Sequence, residues 1–468
     1  MQIKLRFLGG AGNVTGSRYL LEANDTRLLV DCGLYQERDL KSRNWEPFII
    51  PPSSIDAVLL THAHLDHCGL IPKLVKEGFK GNIYCTDATT EITKIILLDS
   101  AHIQEEDAAY KKRRHERENR KGPFEEIPLY TQADAEASFP LFTPVKYKES
   151  VPLGKGIKAT FYDAGHVLGS SMIKVTVTEE GESRTILFSG DVGRDDKPIL
   201  EDPSVFTEID YIITESTYGD RTHKESRDIN DSLAEIINST WKAGGNIIVP
   251  SFALQRAQEI LYHMNQLLME DRIPHLMVFL DSPMASRITE VFKQHNDLFD
   301  KETSRLIGHG KSPFDFPGFK MVQTVDESKA LNHIKSTIMI IAGSGMCTGG
   351  RIKHHLVTNI ERTESTILFI GYQAIGTLGR IITDGTEQVR ILGQQYQVHA
   401  NIAQIGGFSA HADKNELLEW LTNLKSPPRH VFVVHGEAKA AESFSQFLKD
   451  KTGWEVSVPE YRAEAILE

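Results

Sequence analysis

Short apolar runs recur along the chain, and each stops at polar or glycine-rich residues. The opening stretch, Met1-Gln2-Ile3-Lys4-Leu5-Arg6-Phe7, alternates apolar with polar positions as a strand does. Residues 26–30 stop at Asp31-Cys32-Gly33, 57–60 at Thr61-His62, and 157–162 at Asp163-Ala164-Gly165-His166. Residues 185–189 stop at Gly190-Asp191, 211–214 at Glu215-Ser216-Thr217, and 431–434 at His435-Gly436. Such runs predict strands. Side chains just beyond strand tips are where layered α/β folds place chemistry, because the sheet fixes geometry and the loops carry function.

Between about Tyr218 and Ile391 the pattern changes. Strand-like runs at 247–249, 276–280, 338–341 and 367–370 alternate with helical segments starting near Leu254, Met284 and Arg351. That alternation predicts a parallel, doubly wound sheet. A run at 397–404 then suggests a return to the first domain, so the block reads as an insertion. The expected division is 1–207 and 396–468 for one domain and 208–395 for the inserted one. The polar stretch 103–129 predicts a helical excursion with a loop near Gly122-Pro123.

Hydrophobic content of 40% and charged content of 25% fit a globular protein of 468 residues. No apolar run is long enough for a membrane span, and the start does not read as a signal peptide. The four cysteines (Cys32, Cys68, Cys85, Cys347) form no CxxC pair, which fits a reducing cytoplasm. A net charge of −12 excludes a general cationic coat for nucleic acid. A polyanionic substrate must then be held by metals or a local basic groove. One basic run, Lys111-Lys112-Arg113-Arg114 through Arg117, Arg120 and Lys121, is interleaved with acids and is expected to be a solvated helix face or a phosphate contact.

The densest chemistry lies in His62-Ala63-His64-Leu65-Asp66-His67. Imidazole and carboxylate ligate zinc and similar ions. On an extended segment His62, His64 and Asp66 share a face, while His67 joins them only if the chain turns; two metals are therefore expected rather than one. His166, Asp191 and His435 complete the set. His62, His64 and His166 are assigned to one metal, Asp66, His67 and His435 to a second, with Asp191 bridging. Asp31 is expected to accept a hydrogen bond from a ligand histidine and orient it.

Asp31, the HxHxDH run, His166 and Asp191 together resemble the metallo-β-lactamase superfamily. Glu215 in Thr214-Glu215-Ser216-Thr217, His411 in Ser409-Ala410-His411-Ala412-Asp413, and His435 in Val434-His435-Gly436-Glu437 are similar to the added motifs of its β-CASP branch. That branch holds RNA-processing nucleases related to the endonuclease of the pre-mRNA 3′-end cleavage machinery. The resemblance covers nearly the whole chain. It implies an α/β fold: an αββα sandwich with an inserted doubly wound β-CASP domain, and an active site in the cleft between them.

Further resemblances lie in the inserted block: Pro250-Ser251-Phe252-Ala253-Leu254-Gln255-Arg256, with Gln255 where glycine is usual; Gly343-Ser344-Gly345-Met346-Cys347-Thr348-Gly349-Gly350-Arg351, with Gly343 where serine is common; and Gly371 to Arg380. Glycines before a helix let backbone N–H groups approach an anion. Ser251, Arg256, Ser344, Gly345, Thr348, Arg351 and Arg380 are the candidate substrate contacts, with His354 and His355 beside them. His399 is expected to be structural.

The resemblance implies a metal-dependent hydrolase holding two Zn2+ ions that cuts single-stranded RNA to 5′-phosphate and 3′-hydroxyl ends. The catalytic candidates are Asp66, Asp191, Glu215, His411 and Asp31. His411 is the candidate acid for the leaving oxygen, with Glu215 orienting it. Endonucleolytic cutting is expected; action on DNA and 5′-exonucleolytic action are the alternatives. A thioesterase or lactonase would not need Glu215, His411 or the insert, and a catalytically dead scaffold would lack ligands that are all present here. A homodimer is open from the sequence.

Overall fold

The structure is a computed structural model and describes residues 2–121, 125–223 and 228–468. The loop expected at Gly122-Pro123 lies outside the described residues. The chain divides into two compact units: Met1–Asp196 with Asp202–Thr222 and Ala410–Glu468, and Lys197–Glu201 with His223–Ser409.

The first unit contains two seven-stranded sheets. One runs in the order Glu464–Leu467, Ile3–Gly9, Arg18–Ala23, Thr26–Val30, Ala57–Leu59, Asn82–Thr86, Phe142–Val145. The other runs Val456–Ser457, His430–Val433, Tyr211–Thr214, Glu182–Phe188, Ser171–Glu179, Ile157–Asp163, Ser150–Gly154. Successive side chains on a strand face opposite ways. Leu28 and Val30 therefore join Leu5, Phe161, Val175, Ile213 and Phe432 in a core shared by both sheets. Leu29 between them turns outward to Val58, Ile71, Leu74 and Leu97 under helices Ile71–Lys76 and Asp87–Arg117. On the far side Ile212 and Val433 pack with Leu417, Trp420, Phe444 and Leu448 of two C-terminal helices. The layers are thus αββα, as the sequence implied.

The second unit is built on one six-stranded sheet, ordered Phe319–Met321, Met277–Asp281, Ile338–Ala342, Ile247–Pro250, Thr366–Phe369, Asn401–Gln404. Every neighbouring pair in it is parallel. The central strands are buried along their whole length, as strands covered by helices on both faces must be. The run 397–404 behaves differently from expectation. Gln394–Gln397 forms a hairpin with Gln388–Ile391, and Asn401–Gln404 pairs in parallel with Thr366–Phe369. It extends the inserted sheet rather than rejoining the first, because that sheet's edge offers an open ladder. His399 lies between these strands and not inside one.

The basic run from Lys111 to Arg117 occupies the exposed last turns of the 31-residue helix Asp87–Arg117, whose first turn is capped by the Thr86 side chain, and Arg120 and Lys121 lie beyond its end. Arg114 pairs there with Glu118 at 2.9 Å. No helix among the described residues is long and apolar enough to cross a membrane.

At the end of Met277–Asp281, the fully buried Asp281 accepts hydrogen bonds from Arg351 at 2.6 Å and from His355 and Ser328 at 2.5 Å each. Its carboxyl is held below the usual range; burial opposes ionisation, but the His355, Ser328 and Arg351 donors outweigh it. Removing one member of a buried charged network strands the others at a cost of about 3–5 kcal/mol. Asp281→Ala is expected to lower stability by that amount in urea denaturation, and a loss below about 1 kcal/mol would show the network to be dispensable.

Candidate metal centre

Most of the donors sit where a strand has just ended. Asp31 follows Thr26–Val30, His62 and His64 follow Ala57–Leu59, and His166 follows Ile157–Asp163. Asp191 follows Glu182–Phe188, Glu215 follows Tyr211–Thr214, and His435 follows His430–Val433. The HxHxDH run is not extended throughout. His64 immediately precedes a short helix, Leu65–Cys68, that contains Asp66 and His67. The turn separates Asp66 from His62 and His64 and swings it, with His67, toward His435.

Two donor groups result. Ligand atoms of His62, His64, His166 and Asp191 lie within 4.8 Å of one another, as do those of Asp66, His67 and His435. Asp191 faces both. Its Oδ2 is 3.4 Å from His62 Nε2 and 3.4 Å from His166 Nε2. Its Oδ1 is 3.3 Å from His67 Nε2 and 3.5 Å from His435 Nε2, yet is buried with no hydrogen-bond partner.

These contacts fit metal ions. Donors about 2.0–2.2 Å from a tetrahedral zinc stand roughly 3.3 Å apart. Here His62 Nε2 and His64 Nδ1 are 3.0 Å apart, His64 Nδ1 and His166 Nε2 3.3 Å, and His67 Nε2 and His435 Nε2 3.0 Å. The opposite ring nitrogens are engaged. His67 Nδ1 donates to Asp31 at 2.7 Å, His166 Nδ1 to the Ala410 carbonyl at 3.2 Å, His62 Nδ1 to Thr61 Oγ1 at 3.1 Å, and His435 Nδ1 to Thr217 Oγ1 at 3.1 Å. Holding one nitrogen fixes the ring and turns the other inward as a ligand.

The electrostatics agree. Burial holds His62 and His166 below the ordinary histidine value and His64 at about 3, so these rings are neutral, as ligands must be. His67 and His435 are pushed up despite burial, His67 by Asp191 and Asp31, His435 by Asp191 and Asp66. Asp191 is held well down against burial, by His435 first and then His67 and His62. The carboxylates thus draw positive charge into a buried space, which protons supply when metal does not.

Glu215 is fully buried. It accepts from the Val192 N–H at 2.6 Å and the Thr217 N–H at 3.3 Å, and His411 Nδ1 lies 3.1 Å from its Oε1. Burial lowers the His411 pKa, but Glu215 and then Asp191 raise it more, to about 9.

Some framework residues carry no sequence signal of their role. Thr61 donates its N–H to Asp31 Oδ1 at 2.8 Å, and its hydroxyl reaches Asp31 and His62 together. Thr217 holds His435. Threonine is too common to stand out, and Thr217 lies far from His435 along the chain.

Most of the candidate substrate contacts are already engaged within the protein. Arg351 is held by Asp281, and His355 is buried against the same carboxylate. Arg256 pairs with Glu259 at 2.8 Å, and Arg380 with Asp384 at 2.7 Å. Ser344 Oγ accepts from the Thr348 and Gly349 N–H groups at 3.0 and 3.3 Å, so those amides are turned into the loop. Gly345 accepts at its carbonyl from Gln373, and the Ser251 hydroxyl donates to the Phe252 carbonyl. His354 is exposed. Gln255, which departs from the usual glycine, sits at φ 65°, the left-handed region glycine prefers.

Residues 20–215 match a metallo-β-lactamase superfamily domain, 257–382 a Beta-Casp domain, and 395–459 a Zn-dependent metallo-hydrolase RNA specificity domain. Ribonuclease TTHA0252 of Thermus thermophilus is 38% identical over 97% of this chain and 97% of its own. Transcription termination factor FttA of Methanosarcina mazei is 30% identical over 94% of this chain and 67% of its own, and that of Methanocaldococcus jannaschii is 30% identical over 96% and 69%. A solved structure of a protein of unknown function from Enterococcus faecalis V583 shares the fold, with a TM-score of 0.56 at 12% identity across 100% of both chains.

One glycine tests the framework. A Cβ on Gly33 would lie 1.7 Å from the Asp66 carbonyl oxygen, so Gly33→Ala must displace the Asp66–His67 turn. Zinc affinity, measured by chelator competition, is expected to fall roughly 10–100-fold; an unchanged affinity would detach this turn from metal binding. The matched domains and the ribonuclease relative place the chain in the β-CASP branch of the metallo-β-lactamase superfamily, as a metal-dependent hydrolase.

Proposed function

We propose that the protein is a zinc-dependent ribonuclease that cuts single-stranded RNA internally, leaving 5′-phosphate and 3′-hydroxyl ends. The RNA reading is supported by the ribonuclease relative and the RNA specificity domain match. The two-metal reading rests on one observation: each oxygen of Asp191 faces a separate set of histidines. His62, His64 and His166 would hold one zinc, Asp66, His67 and His435 the other. Bound there, the ions supply a water of lowered pKa and positive charge for the phosphoryl oxygens.

The chain's own groups do the rest. Asp31 and Thr61 hold His67 and His62 in register. Glu215, locked by two backbone N–H groups, keeps a proton on His411 Nδ1 and raises the basicity of the ring. The imidazolium then gives its Nε2 proton to the departing 3′-oxygen. The donors are almost wholly buried, with His64, Asp66 and His411 reaching partial exposure. A flexible single strand can bend a phosphate down to them more easily than a duplex can.

Dialysis against chelator is expected to abolish cleavage and zinc to restore it; cleavage in chelator would remove the metals from the reaction. RNA labelled separately at each end distinguishes internal cuts from stepwise loss at the 5′ end. His411→Ala is expected to slow RNA cleavage by about 10²–10⁴-fold while sparing a substrate with a 3′-bridging sulfur, which leaves without a proton; equal losses on both would take His411 out of the proton step. The protonated fraction of His411 is full below its raised pKa and is lost as pH rises through about 9. The alkaline limb of the rate should therefore fall near that pH and move lower in Glu215→Gln; an unmoved limb would break the assignment.

A further inference from the structure

Arg18 opens the strand Arg18–Ala23 and is only 8% exposed. Its Nε is buried with no hydrogen-bond partner. Among the described residues its guanidinium has no carboxylate partner; it lies 5.2 Å from the ring centre of Phe48. It borders a cavity of about 20 Å³ in the first unit, also lined by Arg43, Lys73, Glu46, Phe48 and Tyr461 over a floor of aliphatic side chains.

The cavity has a surplus of positive charge. Lys73 is 7% exposed, lies 4.8 Å from the ring centre of Phe48, donates to the Glu46 carbonyl at 2.5 Å, and lies 3.3 Å from Glu77. Arg43 stacks 4.0 Å over Tyr461. Glu46 brings the one carboxylate of the lining, and that carboxylate pairs with Arg462 at 3.3 Å. An arginine cannot shed its proton to escape burial. A buried N–H donor without an acceptor is costly, and an anion in the cavity would accept from Arg18 Nε while offsetting the positive charge around it.

We propose that this cavity binds a small inorganic anion of chloride size, held by Arg18 and flanked by Lys73 and Arg43. A space of about 10–15 Å³ holds one water, so the observed volume suits a single ion and not an organic acid. The site adjoins the framework of the metal centre. The neighbouring Ser17 donates its N–H to the Asp66 carbonyl at 2.9 Å and accepts from the Gly33 N–H at 3.0 Å. An anion that binds the folded chain and not the unfolded one stabilises the first unit.

The test uses the zinc-loaded full chain. Thermal unfolding is followed in potassium chloride and in potassium gluconate at equal ionic strength, for the wild type and Arg18→Met. A saturable rise in Tm with chloride in the wild type, absent in Arg18→Met, supports the site. Equal responses in both proteins overturn it. Should Arg18→Met not fold, crystals of the wild type soaked in bromide decide. An anomalous peak within hydrogen-bond reach of Arg18 Nε, together with the chloride-dependent Tm, supports the proposal. No peak in the cavity, or a peak without any chloride dependence of Tm (an adventitious ion only), refutes it.

Discussion

Asp191 is a buried carboxylate with histidine nitrogens on both of its oxygens, and that arrangement governs the rest of the molecule. Burying an anion and five imidazoles together is expensive unless positive charge comes with them. His62, His64 and His166 are kept neutral by burial, whereas His67 and His435 are pushed toward protonation by the surrounding carboxylates. The site therefore stores a demand for cations. Only a rigid frame can hold donors at such spacing without letting them relax apart.

The αββα sandwich is that frame. One sheet presents Asp31, His62 and His64 at the ends of parallel neighbours, and the other presents His166, Asp191, Glu215 and His435. The shared core of Leu28, Val30, Ile186 and Ile213 fixes the strands whose tips carry these groups. Hydroxyls and backbone amides then set the rings: Thr61 and Thr217 on histidines, the Val192 N–H on Glu215. Glu215 and His411 add something a metal cage alone does not need, a buried carboxylate–imidazole pair beside Asp191.

Much of this was legible in the sequence because strand ends and metal-competent residues coincide there. Residues 26–30, 157–162 and 211–214 are short, apolar and abruptly terminated, so both the strands and the donors after them could be read. The turn at His64 was not, since the four-residue helix Leu65–Cys68 is too short to leave a periodic signature. The pairing of Asn401–Gln404 with Thr366–Phe369 was hidden for another reason: which edge a strand joins depends on long-range geometry, not on its own residues. Arg351 and His355 read as phosphate contacts because nothing in their neighbourhood announces Asp281, a distant partner in sequence that accepts from both. Buried charge networks of this kind are invisible until the chain is folded.

The account turns on two metals sharing Asp191. Crystals of the zinc-loaded protein measured at the zinc absorption edge test this directly. The expected result is two anomalous peaks roughly 3.5–4 Å apart, one among His62, His64 and His166 and one among Asp66, His67 and His435, with Asp191 between them. A single peak, or zinc bound away from Asp191, would contradict it.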